Sequence, residues 1–173
     1  MSKEPHAGGI LDKYPYVEKR EVVGRIVCIL DARSENRGME LSIHPSRAMP
    51  KGEIHELVAT DDPQAGPGKV VDKVAYIGFF EIEEGGIILV NDQVAVEGQE
   101  VGQVVGFDFT HAPNHLNILI RATTPMTGLE LGLKLGGRVA FSMPVQHSHP
   151  SGPPLPREPS CGILLSGKLN TDR

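Results

Sequence analysis

The residues of this chain best suited to chemistry crowd into one short segment, Gly106-Phe107-Asp108-Phe109-Thr110-His111-Ala112-Pro113-Asn114-His115-Leu116-Asn117. One acid, two histidines, two asparagines and a threonine stand there, in a connection between two apolar runs at 101–109 and 116–122. Connections between rigid strands are where binding and catalytic groups concentrate. If 101–109 is a strand, Gly102, Val104, Gly106 and Asp108 share one face, and glycine inside a strand marks the close approach of a ligand or a second backbone. If Leu116 opens the return strand, His115, Asn117, Leu119 and Arg121 share a face, while Leu116, Ile118 and Ile120 supply the opposite, apolar one. Pairing the two strands brings Asp108 towards His115 and Asn117. A carboxylate beside an imidazole fixes its tautomer and raises its basicity, as a general base near neutral pH requires.

The leading expectation is therefore a small-molecule enzyme that works by proton transfer in a barrel interior or mouth, an isomerase, lyase or cyclase with no cofactor. His115 is the expected base, with His111 and Asp108 completing the acid–base set. Asn114, Asn117, Arg121 and Thr110 are expected to orient the substrate or hold a developing anion. A second expectation uses the same residues for a metal: His111 and His115, joined by Asp108 or by the distant His44 or His55, suit Zn²⁺ or Fe²⁺. Pro113 between the two histidines removes the helical geometry that aligns a His-Glu-x-x-His pair, so a loop would have to converge them. The third expectation is a non-catalytic binding or assembly module, in which Asp108 and Thr110 cap a turn shaped by Pro113 and Asn114.

Other motifs carry less. His147-x-His149 lies beside a proline run and reads as a solvated tail, and His44-Pro45-Ser46-Arg47 and His55 read as surface polar residues. Gly162-x-x-x-x-Gly167-Lys168 has Leu169 where a phosphate loop needs Ser or Thr, and is rejected. No nucleophile elbow, Cys-x-x-Cys pair or dinucleotide fingerprint occurs.

Composition bounds the setting. The 173 residues fit one domain able to bury a core without staples. Tryptophan is absent and aromatics make up only 5%, so that core must be aliphatic. A net charge of −5 with scattered Lys and Arg disfavours nucleic acid, and no apolar run has signal-peptide or membrane-spanning length, so the expected location is cytoplasmic. A disulfide between Cys28 and Cys161 is not expected in a reducing compartment, and Cys28, alternating with Ile26 and Leu30, reads as a small buried hydrophobe.

The elements that must position the segment are strands. Residues 1–20 read as an extended arm, 21–143 as the folded domain and 144–173 as a Pro-rich tail that offers a route to homo-oligomers. Strands are expected at 22–30, 39–43, 54–60, 70–82, 101–109, 116–122 and 138–142, with a charged loop at 31–38 and turns at Glu83-Glu84-Gly85-Gly86, Asn91-Asp92 and Glu97-Gly98-Gln99-Glu100. Leu129, Leu131, Leu133 and Leu135 alternate with polar or glycine residues and read as a strand entering a hairpin through Gly136-Gly137. Eight or nine short strands and no helix point to an all-β fold, a small antiparallel, closed or nearly closed β-barrel, because closure removes exposed edges.

Overall fold

The computed structural model describes residues 15–144; the expectations for the first residues of the arm, for the tail beyond 144 with its His147 and His149, and for Cys161 and the 162–168 motif lie outside them. Among the described residues the fold is all-β, with eleven strands and no helix. They are β1 (Val22–Ser34), β2 (Met39–Glu40), β3 (Ser46–Met49), β4 (Ile54–Thr60), β5 (Val70–Val71), β6 (Val74–Glu84), β7 (Gly86–Leu89), β8 (Gln93–Val96), β9 (Gln99–Asp108), β10 (Asn117–Arg121) and β11 (Arg138–Ser142). No helix long and apolar enough to cross a membrane is present among these residues.

Seven strands are hydrogen-bonded in a closed ring, in the order β1-β11-β8-β9-β10-β4-β6, and the pairs β2-β5 and β3-β7 form two small accessory sheets. The expectation of a purely antiparallel ring is corrected at one place: β10 runs parallel to β4, with Asn117 opposite Glu56 and Arg121 opposite Thr60. The reason is parity. Strand directions cannot alternate all the way round a closed ring with an odd number of members, so at least one neighbouring pair must run the same way.

All seven ring strands feed one aliphatic cluster, including Ile26, Leu57, Phe80, Val94, Val104, Phe107, Ile118, Ile120, Val139 and Phe141, which therefore fills the interior. Met49 and Ile88, from β3 and β7, extend this cluster. A second cluster forms on the outside, where Val58, Val105 and Leu119 of the ring are covered by Met39, Leu41, Ala65 and Val71. The outer wall carries its own roof.

Several elements depart from the alternation that the sequence suggests. Cys28 is exposed, because the pairing of β1 with β6 shifts register between Ile26 and Cys28 and turns the cysteine outwards beside Phe79. The expected charged loop after residue 30 is instead the second half of β1, held by β6 as far as Ser34 opposite Val74. The expected single strand from 70 to 82 is broken at Asp72 and Lys73, whose carbonyls are taken by Arg37 N–H and by the Thr60 hydroxyl. His44-Pro45-Ser46-Arg47 runs into β3, which pairs with β7.

The leucine alternation at 129–135 is not a strand but a chain of turns. Thr127 and Glu130 cap each other reciprocally: Thr127 N–H donates to Glu130 Oε2 at 2.8 Å, and Glu130 N–H donates to Thr127 Oγ1 at 3.3 Å. Gly128 lies so close to β6 that a Cβ there would stand 2.0 Å from Ile77 O. Leu129 and Leu135 are exposed as a result.

Pro15 to Arg20 form no strand, yet Lys19 ties them to the ring. Lys19 Nζ reaches the fully buried Asp92 at 2.9 Å and donates to Phe141 O at 3.1 Å. Asp92 Oδ2 also accepts Leu89 N–H, while Asp92 Oδ1 has no hydrogen-bond partner among the described residues. Burial holds the Asp92 carboxyl above its usual range, against the Leu89 N–H and Lys19, which favour the charged form. Lys19→Met leaves that carboxylate buried and unpaired, and is expected to cost about 3 kcal/mol in urea unfolding. Adding Asp92→Asn to Lys19→Met should restore part of the loss; no recovery would show that the lysine acts through packing alone.

Candidate functional site

The parallel pairing of β10 with β4 builds the site. Successive registers across four strands place Phe79 of β6, Glu56 of β4, Asn117 of β10 and Asp108 of β9 in one row on the outer wall. Glu56, Asn117 and Asp108 are all buried. One row further along stand Tyr76, Val58, Leu119 and Gly106, and Leu41 closes over Gly106 so tightly that a Cβ there would lie 2.9 Å from its Cδ1. The polar row is thus sealed on one side by apolar packing.

Asp108 is fully engaged. Its Oδ1 accepts Thr110 N–H at 3.1 Å and the Thr110 hydroxyl at 2.6 Å, and its Oδ2 accepts Asn117 Nδ2 at 2.8 Å, with Arg37 Nη2 at 3.7 Å. These bonds make Asp108 and Thr110 the start of the turn, as the third expectation has it. They also hold the Asn117 amide, whose Oδ1 is buried with no hydrogen-bond partner among the described residues. The expected shared face of Gly102, Val104, Gly106 and Asp108 is not formed. A bulge opposite Leu119 and Ile120 puts Val104 into the interior with Phe107, while Gly106 and Asp108 face outwards.

The loop beyond Asp108, which contains a cis Ala112–Pro113 peptide, returns as His115. His115 Nε2 lies 4.0 Å from Glu56 Oε2, and its Nδ1 is 2.9 Å from Asn114 Nδ2. An amide donor on Nδ1 leaves the imidazole proton on Nε2, facing the carboxyl. The ring stacks on His111 at a centroid distance of 4.8 Å and meets Phe79 edge-on at 5.1 Å. Arg37 Nη2 reaches His111 Nε2 at 3.4 Å, so one guanidinium touches both the histidine stack and Asp108.

His55, one residue before Glu56, points to the other side of β4. Its Nδ1 accepts Leu116 N–H at 3.2 Å and its Nε2 faces Glu53 Oε2 at 3.1 Å, which fixes the tautomer with the proton on Nε2. It is buried against Phe80, not a surface residue as its surroundings in the sequence suggest. His55 and His115 border an open cleft of about 650 Å³, together with Arg47, Phe79, Phe109 and Asn114.

The titrating groups are tuned in opposite directions. Burial pushes Glu56 above the usual carboxylate range, opposed by Arg37 and helped by the negative charge of Asp108. Burial lowers His115, His111 adds to this, and Asp108 opposes it. His55 is lowered by burial, against the charge and hydrogen bond of Glu53, with Arg47 and His115 lowering it further. Removing charge from both an acid and a base brings their pKa values towards each other, which makes proton exchange between them easy.

The structure therefore brings together Asp108, Thr110, His111, Asn114, His115 and Asn117, and leaves Arg121 apart. Arg121 shares the outer face of β10 but sits at its far end, where it donates to Pro63 O and borders a different cleft with Gln103. Glu56 and Arg37 are the members that the sequence reading lacks. Glu56 carries a weak signal, as the one acid in an apolar run, whereas nothing local marks Arg37. Among the described residues no group of three or more His, Cys, Asp or Glu is arranged to hold a metal ion. His111 and His115 stack face to face instead of converging on one point.

The sign of the pH dependence follows from these shifts. His55 and His115 have folded pKa values below the ordinary 6.5, so the unfolded chain takes up their protons first as pH falls through that value. Stability should be greatest, for these two groups, above about pH 6.5 and should fall on acidification. His55→Asn, whose Oδ1 can still accept Leu116 N–H, is expected to flatten the loss between about pH 7.5 and about pH 5.5 in denaturant titrations. An unchanged slope would remove His55 from the account.

No curated protein and no solved structure matches the chain. Residues 16–142 match the model of a family of unknown function, DUF6917, and the match covers the whole ring. Well over half of the sequence lies within it, and the chain belongs to that family.

Proposed function

We propose that this protein is a small-molecule enzyme of the proton-transfer type, an isomerase, lyase or cyclase, with His115 as the base and Glu56 as the acid group behind it. The ring is read as a small barrel whose filled interior leaves the wall and rim to carry the site. The observation that carries the proposal is the His115–Glu56 pair, 4.0 Å apart at the edge of a 650 Å³ cleft. Burial depresses the pKa of one member and raises that of the other, which brings the two towards each other.

In this reading His115 Nδ1 gives up the exposed Asn114 amide and accepts a proton from the substrate. The imidazolium that forms keeps its Nε2–H towards Glu56, whose carboxylate charge stabilises it. Asn117 stands opposite Glu56 in register, and its buried Oδ1 has no hydrogen-bond partner among the described residues. Asp108 and Thr110 are positioning residues that hold the Asn117 amide, and Arg37 steadies Asp108 and His111. Groups with this arrangement need no cofactor for enolisation or elimination.

Deuterium incorporation from heavy water tests the assignment across many candidate substrates at once. A panel of small carbonyl and carboxylate compounds, read by mass spectrometry, should contain at least one that exchanges a carbon-bound hydrogen in the presence of the protein. His115→Gln should slow that exchange roughly 100-fold, and Glu56→Gln should slow it with a flattened pH profile. No exchange across the panel, or full exchange by His115→Gln, would overturn the assignment.

A further inference from the structure

The cleft beside His115 carries a pattern of charge that specifies its ligand. Its lining includes one cation and one acid, Arg47 and Glu53. Glu53 is engaged with the His55 Nε2–H at 3.1 Å. Arg47 forms no ion pair among the described residues; its guanidinium lies over the Phe109 ring, 5.3 Å from the centroid. Arg47 is exposed, and its planar fork of N–H donors matches a carboxylate with two parallel hydrogen bonds.

The rest of the lining is flat and apolar at Phe79, Phe109, Ile54 and Leu116. His55 and His115, also in the lining, both favour the neutral form. A second negative charge on the ligand would meet Glu53 without a second cation to balance it. The volume of about 650 Å³ lies within the range of small-molecule pockets.

We propose that the ligand of this cleft is a compact, planar monocarboxylate, aromatic or conjugated, gripped by Arg47 with its flat body against the two phenylalanines and its far end at His115. This names the substrate class of the proton-transfer enzyme and rests on that reading for the chemistry, though not for the binding. Arg47 is then a specificity-determining residue. In this proposal Arg47 holds the carboxylate and His115 meets the reacting atom.

Benzoate is the probe and benzamide its neutral control, titrated into the full-length protein and followed by NMR signals of the histidine and phenylalanine rings. Benzoate should bind saturably and move the His115 and Phe109 resonances, and benzamide should bind at least about tenfold more weakly. Arg47→Gln should weaken benzoate by a similar factor. Arg47→Lys, which keeps the charge but not the fork, should fall between. His115→Gln should still bind benzoate.

Absence of saturable shifts, equal binding of benzamide, or wild-type affinity in Arg47→Gln would overturn the proposal. The two readings fail separately. Benzoate binding through Arg47 with no exchanging compound in the heavy-water panel would remove the catalytic role and leave the ligand class intact. Exchange confined to neutral compounds, or undiminished in Arg47→Gln, would remove the ligand class and leave the catalytic role.

Discussion

The placement of β10 is the constraint on which the rest of the structure depends. Its two edges are both bonded, antiparallel to β9 and parallel to β4, so it is the strand that closes a ring of odd number. Leu116, Ile118 and Ile120 face the interior cluster and fix which way the strand is turned. A slip of one residue would send all three to the outside and bring Asn117 into an aliphatic core, at a cost of several side chains at once. Because that register is so strongly determined, Asn117 has no freedom: it must lie between Glu56 and Asp108. The polar row is a consequence of closing the ring.

The same constraint separates what can be read from the sequence from what cannot. Strands β4 and β11 have the bounds that local patterning implies, 54–60 and 138–142, because their composition and flanking turns are self-contained. The turn expected over Glu97-Gly98-Gln99-Glu100 is local too, but tighter: Glu97 and Gly98 take positive φ, 50° and 80°, as a two-residue hairpin loop between twisted strands demands, and Gln99 already opens β9. Bulges are where the reading fails. The shift between Ile26 and Cys28 reverses the cysteine, and the one opposite Leu119 and Ile120 breaks the face that simple alternation gives Val104 in common with Asp108. A bulge depends on the partner strand, which a single chain read in order does not reveal. The leucines at 129–135 are a different kind of failure, since the Thr-x-x-Glu pattern at Thr127 and Glu130 competes there with a period of two, and the capping pattern wins.

The candidate site shows the same division. Crowding of polar residues between 106 and 117 locates the loop that borders the cleft, because that feature is local. Glu56 lies some sixty positions away and Arg37 further still, and only the β4–β10 pairing and the loop before β2 bring them in. Of the two places expected to offer a pocket, interior or mouth, the interior of the ring is filled by side chains from every ring strand. With sparse aromatics and no tryptophan, an aliphatic ring of this size packs closed, and room for a ligand appears at its rim, where the 109–116 loop stands off from β4.

Burying two carboxyl groups side by side is unfavourable unless the charge is shared out unequally. Asp108 holds the hydrogen-bond donors: Thr110 twice, Asn117 once, and Arg37 close by. Glu56 has the distant His115 Nε2 and the positive charge of Arg37, and burial raises its pKa. The asymmetry follows from sequence neighbours, since Thr110 is two residues from Asp108, whereas the neighbours of Glu56 are the strand residues His55 and Leu57. A row in which one carboxyl is locked and its neighbour is left with fewer donors is electrostatically uneven. The roof of Met39, Leu41 and Val71 keeps water from relaxing that imbalance on one side, and His115 stands where it can be relieved on the other.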